Sequence, residues 1–427
     1  MALAATPEPA GPAPSATRPP LLFLCHRIPY PPNKGDKIRA FHLLHHLAQH
    51  FEVHLATFVD DPADWAYTND VERHCHSAHF APLVPWRATL RSVVGFFTGE
   101  ALTLPYYRDQ ELARRVEHTV REHGIRHAIV YSSAMAQYLP AAVAFERRVA
   151  DFVDVDSDKW LQYAARRPWP LSWVYRREGH RLFAHEQRVA GAFDAGLFVS
   201  AAEAALFRRR APALADRIGH YDNGVNADYF APGDDYADPF PAGTRALVFT
   251  GAMDYWPNVD AVCWFAREVF PALRRLDKRL VFCVVGSNPG PEVRALAEGD
   301  GVTVTGRVPD VRPYLAHALA AVAPLRIARG VQNKVLEAMA MARPVLVTGR
   351  GLEGIDARDG EHVLVAESTA DFARHVTALL AGGHCDLGGR ARQLVRARFA
   401  WEACLPEVVA LLGGSAEAGA GTGATGE

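Results

Sequence analysis

The sequence has no long apolar run. The longest candidates, Leu280–Val285 and residues 319–325, are of strand length, far from the roughly 18–20 apolar residues that span a bilayer, so no membrane-crossing segment is expected. Neither sign of charge dominates. Lys plus Arg total 46 against 48 for Asp plus Glu, a formal net charge of −2, which argues against a nucleic-acid binder held by bulk charge. Cysteine is sparse: Cys25, Cys75, Cys263, Cys283, Cys385 and Cys404 form no Cys-x-x-Cys pair. Several sit in apolar runs, where cysteine packs as a small hydrophobe, so a reduced, cytoplasmic compartment is expected. The first twenty residues lack the basic start and apolar core of a secretory signal. They read as a disordered tail, as do residues 413–427, rich in Gly, Ala, Glu and Thr. Also missing are Gly-x-Gly-x-x-Gly and the Walker loop, which removes the usual fingerprints of dinucleotide and P-loop sites.

What is present is a hydrophobic content of 49% in 427 residues, enough for two or three cores. From residue 21 short apolar runs alternate with amphipathic stretches. Strands are expected at 21–24, 53–58, 128–131, 149–155 and 195–199, with helices at 37–50, 110–123 and 201–210 between them. Periodicity stops over 222–241, where Asn, Gly, Asp and Pro accumulate as in a linker. A second series follows, with strands at 246–250, 279–285, 302–305, 320–323, 344–348 and 363–365 and helices at 259–273, 331–341 and 369–380. A final helix is expected at 401–412. This rhythm is that of two successive doubly wound α/β domains.

Two segments carry chemistry. The loop Ile28-Pro29-Tyr30-Pro31-Pro32-Asn33-Lys34-Gly35-Asp36-Lys37 joins the first strand to the first helix, at the sheet edge where ligands bind, and Gly35 lets backbone approach a phosphate. A plain Pro-rich turn is the alternative. The stronger signal runs from Gly330 to Val345. There a short loop feeds a helix bearing Lys334 and Glu337, three residues apart on one face, suited to a diphosphate and to ribose hydroxyls respectively. The alternative is an ordinary surface ion pair.

These residues, with the segment 249–260 (Phe249-Thr250-Gly251 to Asp260), the Asn223-Gly224-Val225-Asn226 hinge, Gly286 and Gly306-Arg307-Val308, resemble the retaining GT-B glycosyltransferases of family four. The resemblance spans residues 21–412. Residues 29–39, the run Asp154-Val155-Asp156-Ser157-Asp158-Lys159-Trp160 and residues 253–258 resemble the sugar transferases encoded with bacterial exosortase and exopolysaccharide systems.

The resemblance implies two Rossmann-like domains facing across a cleft: an acceptor-side domain at 21–225, a linker at 226–242, a donor-binding domain at 243–398, and a helix at 399–412 bracing the first domain. It implies a nucleotide-diphosphate sugar as donor and a glycan or lipid-linked saccharide as acceptor. Transfer would proceed with retention, and no cofactor, metal or nucleic acid would take part. Catalytic roles fall to Lys334, Glu337 and Arg329, donor binding to Gly35, Gly251, Asn258, Gly330, Lys334 and Glu337, and acceptor recruitment to Asp154 and Asp156.

Two positions depart from the family pattern. Arg329 stands where many members have Glu, and Tyr131-Ser132-Ser133-Ala134-Met135 stands where a His is usual. A catalytically inactive GT-B-fold binding protein is therefore the rival reading, ahead of a nicotinamide-dependent dehydrogenase, whose fingerprint is missing. Asp154-Val155-Asp156 also matches an Asp-x-Asp metal motif, which belongs to the other glycosyltransferase fold. His74-Cys75-His76 with His79 reads as a solvated loop, because adjacent ligands on one segment rarely reach one centre.

One last feature concerns membranes. Trp86, Leu90, Val93, Val94 and Phe97 share a helical face, with Arg87 and Arg91 on another, and a second aromatic and basic stretch follows at 166–177. Such a helix suits peripheral contact with the inner face of the cell membrane, or packing on its own domain.

Overall fold

The computed structural model describes residues 18–32, 35–328 and 330–414. Arg329 and most of both expected tails lie outside the described residues. The first strand opens at Pro20, at the end of the segment read as a tail, and the Glu52 amide donates to the Pro19 carbonyl (3.0 Å).

Thirteen strands form two sheets among the described residues. The first contains β1 (Pro20–Cys25), β2 (Glu52–Val59), β3 (Ser77–Pro82), β4 (His127–Tyr131), β5 (Arg147–Val153), β6 (Ala195–Phe198) and β7 (Ile218–His220), in the order β3-β2-β1-β4-β5-β6-β7. The second contains β8 (Arg245–Thr250), β9 (Leu280–Val285), β10 (Val302–Gly306), β11 (Ala318–Ala323), β12 (Val345–Val347) and β13 (Leu364–Val365), in the order β10-β9-β8-β11-β12-β13. Parallel pairing explains why these strands read as continuous apolar runs: both faces are buried. In β8, Leu247 and Phe249 enter one core while Ala246 and Val248 enter the other.

By their contacts the residues divide into two compact units, one of residues up to 95, 103–148 and from 409, the other of 96–102 and 149–408. In the first unit, the helix Gln110–Glu122 is capped by Asp109, whose carboxylate accepts from the Leu112 amide (2.9 Å). Residues 409–414 also belong there, and His127 Nδ1 donates to the Leu412 carbonyl (2.8 Å). The final helix is two, Trp401–Cys404 and Pro406–Leu411, because Pro406 has no amide with which to continue the first.

In the second unit the segment read as a linker is irregular yet fastened. The Val225 amide donates to the Phe399 carbonyl (2.7 Å), and Tyr236 and Phe240 pack on the core of the six-stranded sheet. Two helices not expected from the sequence, Asp156–Ala165 and Leu171–Ala192, pack together there. No helix among the described residues is long and apolar enough to cross a membrane.

Candidate functional site

In an open parallel sheet, ligands bind beyond the carboxyl ends of the strands, where the strand order reverses. In the six-stranded sheet that place lies between β8 and β11. The segments leaving these two strands carry Gly251 and Asn258 on one side and Gly330, Lys334 and Glu337 on the other, so five of the expected site residues belong to one sheet edge.

Leaving β8, the chain turns at Gly251, where φ is +153°. A Cβ there would lie 2.8 Å from Asn258 Nδ2 and 3.3 Å from Lys334 Cε, so a larger residue would push into both side chains. Gly286, at the end of β9, is tighter still: a Cβ would sit 1.6 Å from the Gly251 carbonyl oxygen. The turn is held by hydrogen bonds from the Gly251 amide to the Val285 carbonyl (3.0 Å) and from the Met253 amide to the Ser287 carbonyl (2.8 Å).

The helix Trp256–Trp264 then begins, and Asn258, almost fully buried in its first turn, donates from Nδ2 to the Ala252 carbonyl (2.8 Å). That leaves Asn258 Oδ1 to accept from Lys334 Nζ at 3.1 Å. Lys334 comes from the first turn of the helix Asn333–Ala340, whose Val335, Leu336, Ala338, Met339 and Ala340 are buried and fix its orientation. Its ammonium also stands 5.4 Å from the centre of the Phe249 ring, a favourable cation–π distance. Gly330, with φ +68°, shapes the approach to this helix, and its carbonyl accepts from Gln332 Nε2 (3.0 Å).

Electrostatically the site is poised near neutrality. Burial pushes the Lys334 ammonium down to about 8, against the opposing pull of Glu337. Burial likewise raises the Glu337 carboxyl to about 7, against the pull of Lys334. Both shifts mean that the surroundings solvate charge poorly, which strengthens any anion brought to the ammonium. A half-buried ammonium with a neutral amide partner keeps donors with which it can meet an anion.

Gly35 belongs to the other unit. It opens the helix Gly35–His50, and a Cβ on it would meet nothing within 4 Å. The same sheet edge, where the order reverses between β1 and β4, carries a residue the sequence reading passed over. His26 follows β1 and stacks on Tyr131 at the end of β4, with ring centroids 5.7 Å apart and planes at 1°. Burial holds the His26 imidazole down to about 4, despite Asp36 nearby. Arg27 bridges Asp36 (2.7 Å) and Asp60 (2.8 Å) beside it. An aromatic ring stacked on a histidine across two strands leaves no spacing signal, so only the assembled sheet reveals it.

Asp154 and Asp156 follow β5, where Val153 takes φ +68°, an unusual conformation for a β-branched residue. Lys159 Nζ lies between the two carboxylates, 2.7 Å from Asp154 and 3.2 Å from Asp156. An ammonium in that position disfavours a divalent ion there. Behind the loop, buried Glu186 accepts from the Ser157 hydroxyl (2.7 Å) and amide (3.1 Å), and burial raises its carboxyl to about 8.

Residues 244–382 match the family model described as "Glycosyl transferases group 1", so this part of the chain is a glycosyl transferase group 1 domain. Solved structures resemble nearly the whole chain. Sucrose-phosphate synthase from Thermosynechococcus elongatus has a TM-score of 0.63 at 19% identity, covering 92% of this chain and 98% of its own. Anabaena HepE in complex with UDP has a TM-score of 0.63 at 12% identity, covering 92% and 99%. WaaG, a glycosyltransferase involved in lipopolysaccharide biosynthesis, has a TM-score of 0.57 at 17% identity, covering 92% and 100%. No curated protein sequence matches the chain. The two parallel-sheet α/β domains are thus those of the GT-B fold.

Proposed function

We propose that this protein is a retaining, metal-independent glycosyltransferase of family four. It moves a sugar from a nucleotide diphosphate to a glycan or lipid-linked saccharide in bacterial exopolysaccharide synthesis. The observation that carries this reading is the half-buried Lys334 ammonium, set over the Phe249 ring and bonded to a neutral amide at the strand-order reversal of the six-stranded sheet. Support comes from HepE, a structural neighbour solved with UDP and with UDP-glucose.

In this reading Lys334 stabilises the negative charge that grows on the leaving diphosphate, with Arg329 adding charge. Glu337 accepts from ribose hydroxyls. The leaving phosphate helps to take the acceptor proton, so no carboxylate nucleophile is needed. Asp154 and Asp156, close to a lysine, are proposed to orient the acceptor.

Contact with an anionic lipid surface belongs to the same proposal. Trp86, Leu90, Val93 and Val94 are exposed, as are Phe97, Trp169 and Trp173 in the other unit, which disfavours packing of this face on its own domain. Arg91 donates to the Tyr106 carbonyl (3.0 Å), so of these two arginines Arg87 is the one offered to lipid headgroups. Liposome flotation at low salt checks this: wild-type protein floats with anionic vesicles and Trp86→Ala with Arg87→Glu does not.

The enzymatic reading is tested by incubating the protein with a panel of sugar nucleotides and measuring release of nucleoside diphosphate. Release from one of them, lost in Lys334→Ala, supports it. No release from any, with nucleotide still bound, supports the inactive binding protein.

A further inference from the structure

Three histidines distant in sequence meet in the first unit. His54 lies near the start of β2, His76 immediately precedes β3, and His123 ends the helix Gln110–Glu122. One nitrogen from each lies within 4.8 Å of the others, and the ring centroids are 4.3 to 5.4 Å apart. The segment around His76 is therefore not simply a solvated loop. Its histidine reaches partners on two other elements.

The chemistry of His54 gives the cluster its direction. The residue is 1% exposed, and its Nδ1 is paired with the Ser77 hydroxyl at 2.8 Å. Its Nε2 is buried with no hydrogen-bond partner among the described residues. An orphaned buried nitrogen is costly to leave unpaired, and a cation bound there would remove that cost.

The other two rings are partly exposed, giving an ion a way in. Each also has a carboxylate in reach: Glu52 Oε2 lies 4.0 Å from His76, and Glu122 Oε2 lies 3.9 Å from His123. Such carboxylates orient and polarise histidine ligands in metal sites.

We infer that His54, His76 and His123 form a binding site for a divalent transition metal, best suited to zinc. A set of three imidazoles without cysteine suits zinc, copper or nickel and not magnesium or calcium. Zinc held about 2.0–2.1 Å from each nitrogen needs them roughly 3.4 Å apart, so binding would draw the rings together from their spacing of up to 4.8 Å. The site lies toward the amino ends of β2 and β3, away from the carboxyl edge that bears His26 and Gly35. Its role is accordingly structural: the ion ties β2, the approach to β3 and the end of the helix Gln110–Glu122 together, and does not enter the transfer reaction.

The test uses the full chain without an affinity tag and Co²⁺ as a spectroscopic probe. Wild-type protein should bind a single equivalent of Co²⁺ with the visible bands of a tetrahedral centre, and Zn²⁺ should displace it and raise the melting temperature. His76→Gln with His123→Gln, both at partly exposed positions, should fold but lose the bands and the thermal shift. His180→Gln, at an exposed histidine outside the cluster, should keep both. Failure of the wild type to bind, or binding that survives the double substitution, overturns the assignment.

Discussion

Asn258 holds Lys334 from across the six-stranded sheet: the lysine Nζ donates to the amide Oδ1 at 3.1 Å, while the amide Nδ2 donates to Ala252 at 2.8 Å. One side chain thus fixes both the loop leaving β8 and the cation on the helix after β11. This partner is a neutral amide, whereas a carboxylate there would satisfy the ammonium before any ligand arrived.

Replacing the amide by a carboxylate should therefore do more harm than removing it. Asn258→Ala should weaken UDP binding by roughly 1.5–3 kcal/mol through lost positioning of a charged hydrogen bond. Asn258→Asp should weaken it further, despite being nearly isosteric, by repelling the diphosphate. Calorimetric titration with UDP checks the order, and an Asp variant that binds like wild type contradicts it.

The pH dependence of binding follows from the two shifts in the site. Lys334, lowered to about 8, loses its proton as pH rises through that value, and diphosphate affinity should then fall by up to about tenfold per pH unit. Glu337, raised to about 7, becomes protonated as pH falls through that value and accepts from ribose less well. Affinity for UDP should peak between the two. Lys334→Arg, whose charge persists, should abolish the alkaline decline, and an unchanged decline in that variant would place the titrating group elsewhere.

Stability should carry a separate signature from Glu186. Its carboxyl is raised from 4.5 to about 8 by burial, so the folded chain keeps a proton that the unfolded chain releases above 4.5. The contribution is fully favourable below pH 4.5 and is lost as pH climbs towards 8. Glu186→Gln should remove this decline and melt at least about 2 °C above wild type at pH 8. Melting curves that fall in parallel for both proteins would rule out Glu186 as the source.

Much of this was legible in the sequence, for identifiable reasons. Parallel strands buried on both faces show as plain apolar runs, and the helix Thr369–Leu380 announces itself by a Ser368/Asp371 capping box. Lys334 and Glu337 share a helix and so show as a spacing. The helix Leu171–Ala192 was hidden because its buried face includes Glu178, His185 and Glu186, which interrupt the apolar period. Strand β3 was hidden because its sequence, Ser-Ala-His-Phe-Ala-Pro, is mostly half-buried and ends in proline. The contact of Asn258 with Lys334, the stacking of His26 on Tyr131 and the meeting of three histidines join residues 22 to 105 positions apart, and no local pattern records such pairings.

The edge between β8 and β11 is proposed to hold a nucleotide diphosphate through Lys334 and its nucleoside through Glu337. Titrating UDP and uridine, with GDP and guanosine in parallel, into wild type, Lys334→Ala and Glu337→Gln tests it most directly. The lysine variant should lose most of its affinity for the diphosphate and little for the nucleoside, while the glutamine variant loses affinity for both. Near-wild-type affinity for UDP and GDP in both variants would contradict the account.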